Sequence, residues 1–153
     1  EEKSEQEPLK VWGHLENGKI IKAESPVITA QCFRVACLDG HMAAVFMKFQ
    51  DGSKPSIEQI KADWAAFRGP AQELELPSAP KQFLHYFEED NRPQTKLDRN
   101  LEHGMAISLG RLREDSQYDY KFVGLSHNTL RGAAGGAVLL AELLCAKGYI
   151  EAK

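Results

Sequence analysis

The spacing of apolar residues changes several times along this chain, and each change marks an element. Leu9, Val11 and Trp12 sit in a short mixed stretch, 5–12, where Pro8 fits a first helical turn better than an interior one. Glu16-Asn17-Gly18-Lys19 carries the Asn-Gly signal of a tight hairpin. The stretch 27–36 is rich in β-branched and apolar residues and predicts a strand, which Leu38-Asp39-Gly40 breaks. A second strand is predicted over 41–49, ended by Asp51-Gly52. Ser56 is placed to cap a helix, Gln59 completes a capping-box pattern, and Ile57, Ile60, Trp64 and Phe67 recur at helical spacing until Gly69-Pro70 stops them. A short strand follows over 82–87. The polar stretch 88–103, with Pro93 inside it, predicts a long loop of the kind that serves a site or reaches across an interface. Met105, Ile107, Leu109 and Leu112 alternate imperfectly and predict a strand over 105–113, with another over 118–125. Behind Asn128-Thr129 an apolar helix runs to Lys147, with Gly148 placed to stop it. Short turns between neighbouring strands point to an α+β fold: a mixed, largely antiparallel sheet with helices packed on one face. Val27, Thr29, Val45 and Met47 are expected to present the other face.

Composition narrows the function classes. The 153 residues read as one domain, 1–153, of a soluble, globular kind, with 42% hydrophobic and 27% charged residues. A formal net charge of −3, and the lack of a basic run with interleaved aromatics, argue against nucleic acid and anionic lipid as partners. No apolar stretch approaches the roughly 20 residues that span a bilayer. Cys32, Cys37 and Cys145 are odd in number and lack metal-site spacing, so neither a disulfide framework nor a metal site is expected, and a reducing cytoplasm fits best. The acidic start, Glu1-Glu2-Lys3-Ser4-Glu5, is not a signal peptide; it reads as the first turn of a helix inside a longer protein.

Three places hold polar residues that packing alone does not require. Arg34 lies within an apolar run, where a buried guanidinium needs an anion, and its planar fork suits a carboxylate or phosphate. His41 follows Gly40. In one continuous strand it would lie roughly 23 Å from Arg34, at about 3.3 Å per residue, on the opposite face, unless Asp39-Gly40 turns the chain. A structural ion pair and an ordinary turn histidine remain the alternatives. Glu7 and Lys10, three apart, share a helix face and suit a zwitterionic amino acid, or equally a solvated ion pair. The run 126–136, with its small residues, allows a helix start to approach a ligand or, alternatively, another packed element. Cys37, four residues before His41, raises a local Cys–His nucleophile, but nothing in the sequence marks a lowered thiol pKa.

Taken together and in order, these segments resemble one family. Glu7-Pro8-Leu9-Lys10, Cys32-Phe33-Arg34-Val35 with Gly40-His41, Arg92-Pro93-Gln94 with Leu97-Asp98-Arg99, Gly110-Arg111-Leu112-Arg113 and Ser126-His127-Asn128-Thr129-Leu130-Arg131-Gly132 are similar to the C-terminal domain of aspartate-β-semialdehyde dehydrogenases, especially the fungal and archaeal branch. The resemblance covers essentially the whole chain. It implies a fold like the C-terminal half of glyceraldehyde-3-phosphate dehydrogenase. Arg34 would grip the substrate carboxylate, His41 would be the general acid/base, Glu7 would hold the substrate amino group and Lys10 the incoming phosphate. Asn128 and Thr129 would approach the nicotinamide end of NADP, and the helix 129–147 would pack back on an N-terminal NADP-binding domain. The implied reaction interconverts aspartyl 4-phosphate and aspartate 4-semialdehyde with NADP(H) and inorganic phosphate, in lysine, threonine and methionine biosynthesis, within a homodimer or tetramer.

The family's Gly-rich nucleotide segment and its Ser-Asn-Cys nucleophile motif do not occur in these residues, so the chain by itself is expected to be inactive. Pro8 departs from an uninterrupted helix at Glu7–Lys10. A dimerisation module without catalysis, and a domain of an N-acetyl-glutamyl-phosphate reductase, are the other readings.

Overall fold

The computed structural model describes residues 1–50 and 52–151. The chain divides into two compact units, Glu1–Ala36 and Cys37–Lys153.

The first unit opens with helix α1, Glu2–Val11, which keeps Pro8 inside it and ends on Trp12. Strands β1, His14–Glu16, and β2, Lys19–Ile21, pair antiparallel with Glu16 opposite Lys19. The two residues between them, Asn17 and Gly18, both have positive φ, as the tight turn requires. Gly13 joins helix to hairpin, and a Cβ there would meet the Ile21 carbonyl oxygen at 2.0 Å. The expected strand over 27–36 does not form. The stretch has no ladder partner among the described residues of its unit, and Val27, Phe33 and Val35 are exposed. Its amides bond to side chains instead: Ala30 N–H donates to Glu5 Oε1 at 2.8 Å, and Cys32 N–H to Glu1 Oε1 at 2.9 Å.

The second unit is built on a four-stranded sheet. Its strands are β3 (His41–Met47), β4 (Leu84–Phe87), β5 (Ile107–Glu114) and β6 (Tyr120–Ser126), in the order β3-β6-β5-β4. Two pairings are antiparallel and β4–β5 is parallel, so the expected mixed, largely antiparallel sheet is borne out. Of the Asp51-Gly52 break, Asp51 lies outside the described residues, and Gly52 has φ +72°.

Helix α2, Ile57–Ala66, starts as expected, with Gln59 N–H donating to Ser56 Oγ at 3.1 Å. The Gln59 side chain does not return to the cap; its amide reaches Asp63 Oδ1 instead. Pro70 opens a second short helix, α3, Pro70–Glu73, so Gly69-Pro70 both ends one helix and starts another. Ile60 of α2 is buried with Leu112 and Tyr120, backed by Met47, Trp64, Tyr86 and Phe122. Each fully buried large side chain there contributes about 1.5–3 kcal/mol. Leu109 and Leu112 are three residues apart, yet both are buried. A bulge between Gly110 and Arg113 resolves the mismatch, with Arg111 at φ +59° and Leu112 N–H donating to the Tyr86 hydroxyl at 3.2 Å.

Side chains alternate across a sheet, so Val45 and Met47 share the α2 side with Phe122. The expectation that they present the open face is therefore wrong by one residue of parity. Met42, Ala44 and Phe46 occupy that face. Met42 and Phe46 at its β3 edge are about half exposed, whereas its β5 side is covered. There the expected loop 88–103 holds a short helix, α4, Thr95–Asp98, and a 3₁₀ turn, Leu101–Gly104. A Cβ on Gly110 would meet the Arg92 carbonyl oxygen at 2.5 Å, so this segment lies directly on the strand.

The last helix starts in an over-wide turn. Leu130–Ala134 is π-helical and runs into α5, Gly135–Ala146, with Gly148 at φ +74° beyond it. Leu139 of α5 is buried with Leu76 and Met105 in a second core. Glu142 fixes the facing loop, accepting from Ser78 N–H at 2.9 Å and from Ser78 Oγ at 2.6 Å.

Candidate functional site

The sheet brings several of the expected site residues to one end. His41 begins β3 and pairs with Ser126, which ends β6; Ile107, the first residue of β5, also faces Ser126. The residues that follow Ser126 therefore lie beside the start of β3. Asn128 reaches back across this end, and its Oδ1 accepts the Gly40 N–H at 2.8 Å. Gly40 is buried at φ +105°, a conformation that costs other residues strain. A Cβ there would also crowd Leu125 Cδ1 at 3.1 Å and Thr95 Cγ2 at 3.2 Å. The backbone entering His41 is thus held by a ladder, a side-chain bond and a close steric fit, while the imidazole is exposed.

His127 supports the same corner. It is only 5% exposed, and its Nδ1 accepts from Thr129 N–H at 3.2 Å and from Leu130 N–H at 3.3 Å. With Nδ1 accepting, the ring proton belongs on Nε2. Two amides at the start of the last helix are thereby satisfied by a buried ring. Gly135 and Gly136 serve internal packing: Cβ atoms there would meet Met105 Sδ at 2.6 Å and the Arg131 carbonyl oxygen at 2.5 Å. The other small residues of this stretch, Gly132, Ala133 and Ala134, are exposed, as is Thr129.

In the first unit the structure does not bury Arg34. Its side chain is exposed and makes no hydrogen bond or ion pair among the described residues, so the ion-paired structural arginine is not found. What is fixed is the backbone just before it, through Glu1 and Glu5. Glu7 and Lys10 are also exposed. Helical geometry turns them away from the α1 side that carries Glu1 and Glu5. Sequence reading treated those two acids only as a helix start, although their i, i+4 spacing was a signal that they act together.

Two further groups were given no role from sequence. Asp98 is 4% exposed and accepts from Arg92 Nε at 2.8 Å and Gln94 N–H at 2.7 Å. Burial works to raise its carboxyl, but Arg92 and the Gln94 amide outweigh this and hold it below the usual carboxylate range. Arg92 also lies over the Phe87 ring, 4.5 Å from its centroid, which clamps α4 onto the sheet. Arg131 stacks on Phe83 beside a cavity of about 410 Å³ lined in part by Phe67, Leu139 and Leu143. Burial lowers its pKa from the ordinary guanidinium value.

The three cysteines are free and exposed, and Cys37 Sγ points to the Gly40 carbonyl at 3.7 Å. Among the described residues no cluster of three or more His, Cys, Asp or Glu is arranged to hold a metal ion, and no helix is long and apolar enough to cross a membrane.

Comparison with known proteins gives a consistent result. Over 154 residues the chain is 42% identical to the aspartate-semialdehyde dehydrogenase of Saccharomyces cerevisiae, a match covering 98% of this chain and 42% of that protein. It is 42% identical over 146 residues to the enzyme of the same name from Methanothermobacter thermautotrophicus, covering 94% and 41%. The crystal structure of aspartate semialdehyde dehydrogenase with NADP from Candida albicans matches with a TM-score of 0.88 and 38% identity, over 98% of this chain and 43% of that one. The chain thus spans about two fifths of the length of these relatives. A domain of an N-acetyl-glutamyl-phosphate reductase is not favoured by these matches. Residues 1–131 match the family described as "Semialdehyde dehydrogenase, dimerisation domain", and the chain belongs to that family.

Proposed function

We propose that this chain is the substrate-binding and dimerisation part of an aspartate-semialdehyde dehydrogenase, supplying everything but the nucleophile and most of the cofactor cradle. The observation that carries the reading is the 42% identity to the yeast enzyme across nearly the whole chain. Arg34, unpaired and exposed, grips the substrate carboxylate by its fork. Glu7 takes the substrate amino group and Lys10 the phosphate. His41 is the general acid/base: it takes the hydroxyl proton of the adduct formed when a cysteine thiolate from the rest of the protein adds to the aldehyde, and returns it in the reverse direction. NADP, when bound, accepts the hydride. Asn128 and Thr129 would approach its nicotinamide end, and phosphate resolves the thioester to aspartyl phosphate. Helix α5 leaves Val138 and Leu140 exposed, apolar residues suited to packing on the nucleotide domain.

The half-covered sheet face is the dimer surface in this reading. Met42 and Phe46 are about half exposed, and Tyr118 stacks against Phe46 at 5.9 Å. An apolar sheet face of this kind is covered by a two-fold pairing of identical copies. The test is steady-state assay of the full-length protein and of these 153 residues, side by side. NADP-linked, phosphate-dependent oxidation of aspartate semialdehyde is expected from the first and none from the second. A full-length protein without that activity overturns the reading, and turnover by the shorter chain overturns the division of labour.

A further inference from the structure

We infer that Asn128 is a positioning residue for His41, acting through the Gly40 amide. The inference rests on His41 being the acid/base of the proposed reaction. Asn128 Oδ1 accepts the Gly40 N–H, which fixes how the side-chain amide is turned and leaves its NH₂ and one lone pair of the oxygen for any cofactor contact. Gly40 is the residue from which His41 departs, and its φ of +105° aims the strand. Without the bond, a buried amide would lose its acceptor in a place where Leu125 and Thr95 leave little room for water. The backbone would relax toward another acceptor, and His41, next in the chain, would move with it.

Asn128 is itself held from behind. His127 is buried and takes the two amides that follow Asn128, which fixes the turn between β6 and the last helix. Gly104 makes room for that ring, since a Cβ there would lie 3.1 Å from His127 Cδ2. The chain of support runs from Gly104 to His127, to the Asn128 turn, to Gly40 and so to His41. A general base must sit within hydrogen-bond reach of its proton, and a displacement of about 1 Å can cost on the order of 100-fold in rate.

The experiment uses the full-length enzyme at saturating NADP. Asn128→Ala is expected to lower kcat on the order of 10- to 100-fold, with the KM for aspartate semialdehyde changed less than about twofold. Asn128→Asp keeps an accepting oxygen and is expected to return most of the kcat. An unchanged kcat in Asn128→Ala, or an Asn128→Asp enzyme as slow as the alanine variant at every pH, overturns the inference. Should Asn128→Ala fail to fold, the aspartate variant decides, together with hydrogen–deuterium exchange of the unmodified enzyme: the Gly40 amide should exchange as slowly as the β6 amides, and fast exchange overturns the inference. His41→Asn tests the underlying reading separately, because retained activity there removes His41 as the base whatever Asn128 does.

Discussion

Arg34 and His41 are both proposed to act on substrate, and the chain secures them in different ways. His41 begins a strand whose seven residues all pair with β6, and the glycine before it is buried. Arg34 lies within an apolar run of similar composition that forms no ladder and is tied by the Glu1 and Glu5 carboxylates. A ladder is cooperative, so one weakened contact is shared among many. A pair of side-chain bonds is not, so each can be lost alone and locally. The proposed base is thus built on a hydrogen-bonded ladder, and the proposed substrate arginine on a segment held by side-chain bonds.

The largest effect should come from breaking the ladder side of this contrast. Gly40→Val adds strain at a positive φ and a clash with Leu125 and Thr95. It should destabilise the fold by about 3–5 kcal/mol, summing backbone strain and overpacking. Urea unfolding measures it, and a loss under 1 kcal/mol would show that the fit around Gly40 is loose. Next is Arg34→Lys in the full-length enzyme, which keeps the charge and loses the fork. A loss in kcat/KM equivalent to about 2–4 kcal/mol is expected, the range for truncating a bonded charge pair. The unfolding midpoint should stay in place, since Arg34 is exposed and makes no hydrogen bond or ion pair among the described residues.

Asp98 tests the support behind Gly40, because it clamps the helix that carries Thr95. Asp98→Ala should cost about 2–3 kcal/mol, as the partly exposed Arg92 can turn to water once its buried partner is gone. The pH dependence has a definite sign. The carboxyl titrates lower when folded, so its stabilisation is fully present above the unfolded value of about 4 and is lost as pH falls through the folded value. Acid titration of stability should be shallower for Asp98→Ala than for the unmodified protein; equal slopes would remove the clamp from the account. The smallest effect is expected from Glu5→Ala. It removes one tie on the Arg34 segment, worth about 0.5–1.5 kcal/mol. Exchange of the Ala30 amide should speed up while the global midpoint barely moves. A large global loss would mean that the first unit is more cooperative than two side-chain bonds allow.

Much of this was legible in the sequence because the signals were local. Asn17-Gly18 specified its turn, Ser56 its cap and Gly148 its stop. Even the imperfect alternation of Leu109 and Leu112 carried information, since a spacing of three between two positions buried on one face of a strand requires a bulge. What failed was whatever depends on a distant partner. The composition of 27–36 suits a strand, but a strand also needs an edge to pair with, and composition does not supply one. The polar run 88–103 hid α4, because the helix is held by Asp98 and Arg92 rather than by apolar spacing. Parity on β3 was misjudged for the same reason: only the position of α2 decides which alternate residues are covered. For the site, residue types and order pointed to Arg34 and His41. The bond from Asn128 to Gly40 spans 88 positions and left no local trace.

The over-wide turn Leu130–Ala134 stores one residue more than a regular helix would use. Its effect is on length. Removing a residue within it would leave an ordinary turn, with Leu139 still directed at Leu76 and Met105. Removing one beyond Gly136 would rotate everything after the gap by about 100° and turn Leu143 out of that core. The chain is thus free to change length just before the last helix and fixed in length within it, and Gly135 and Gly136, where side chains would strike Met105 and the Arg131 carbonyl, mark the boundary between the two regimes.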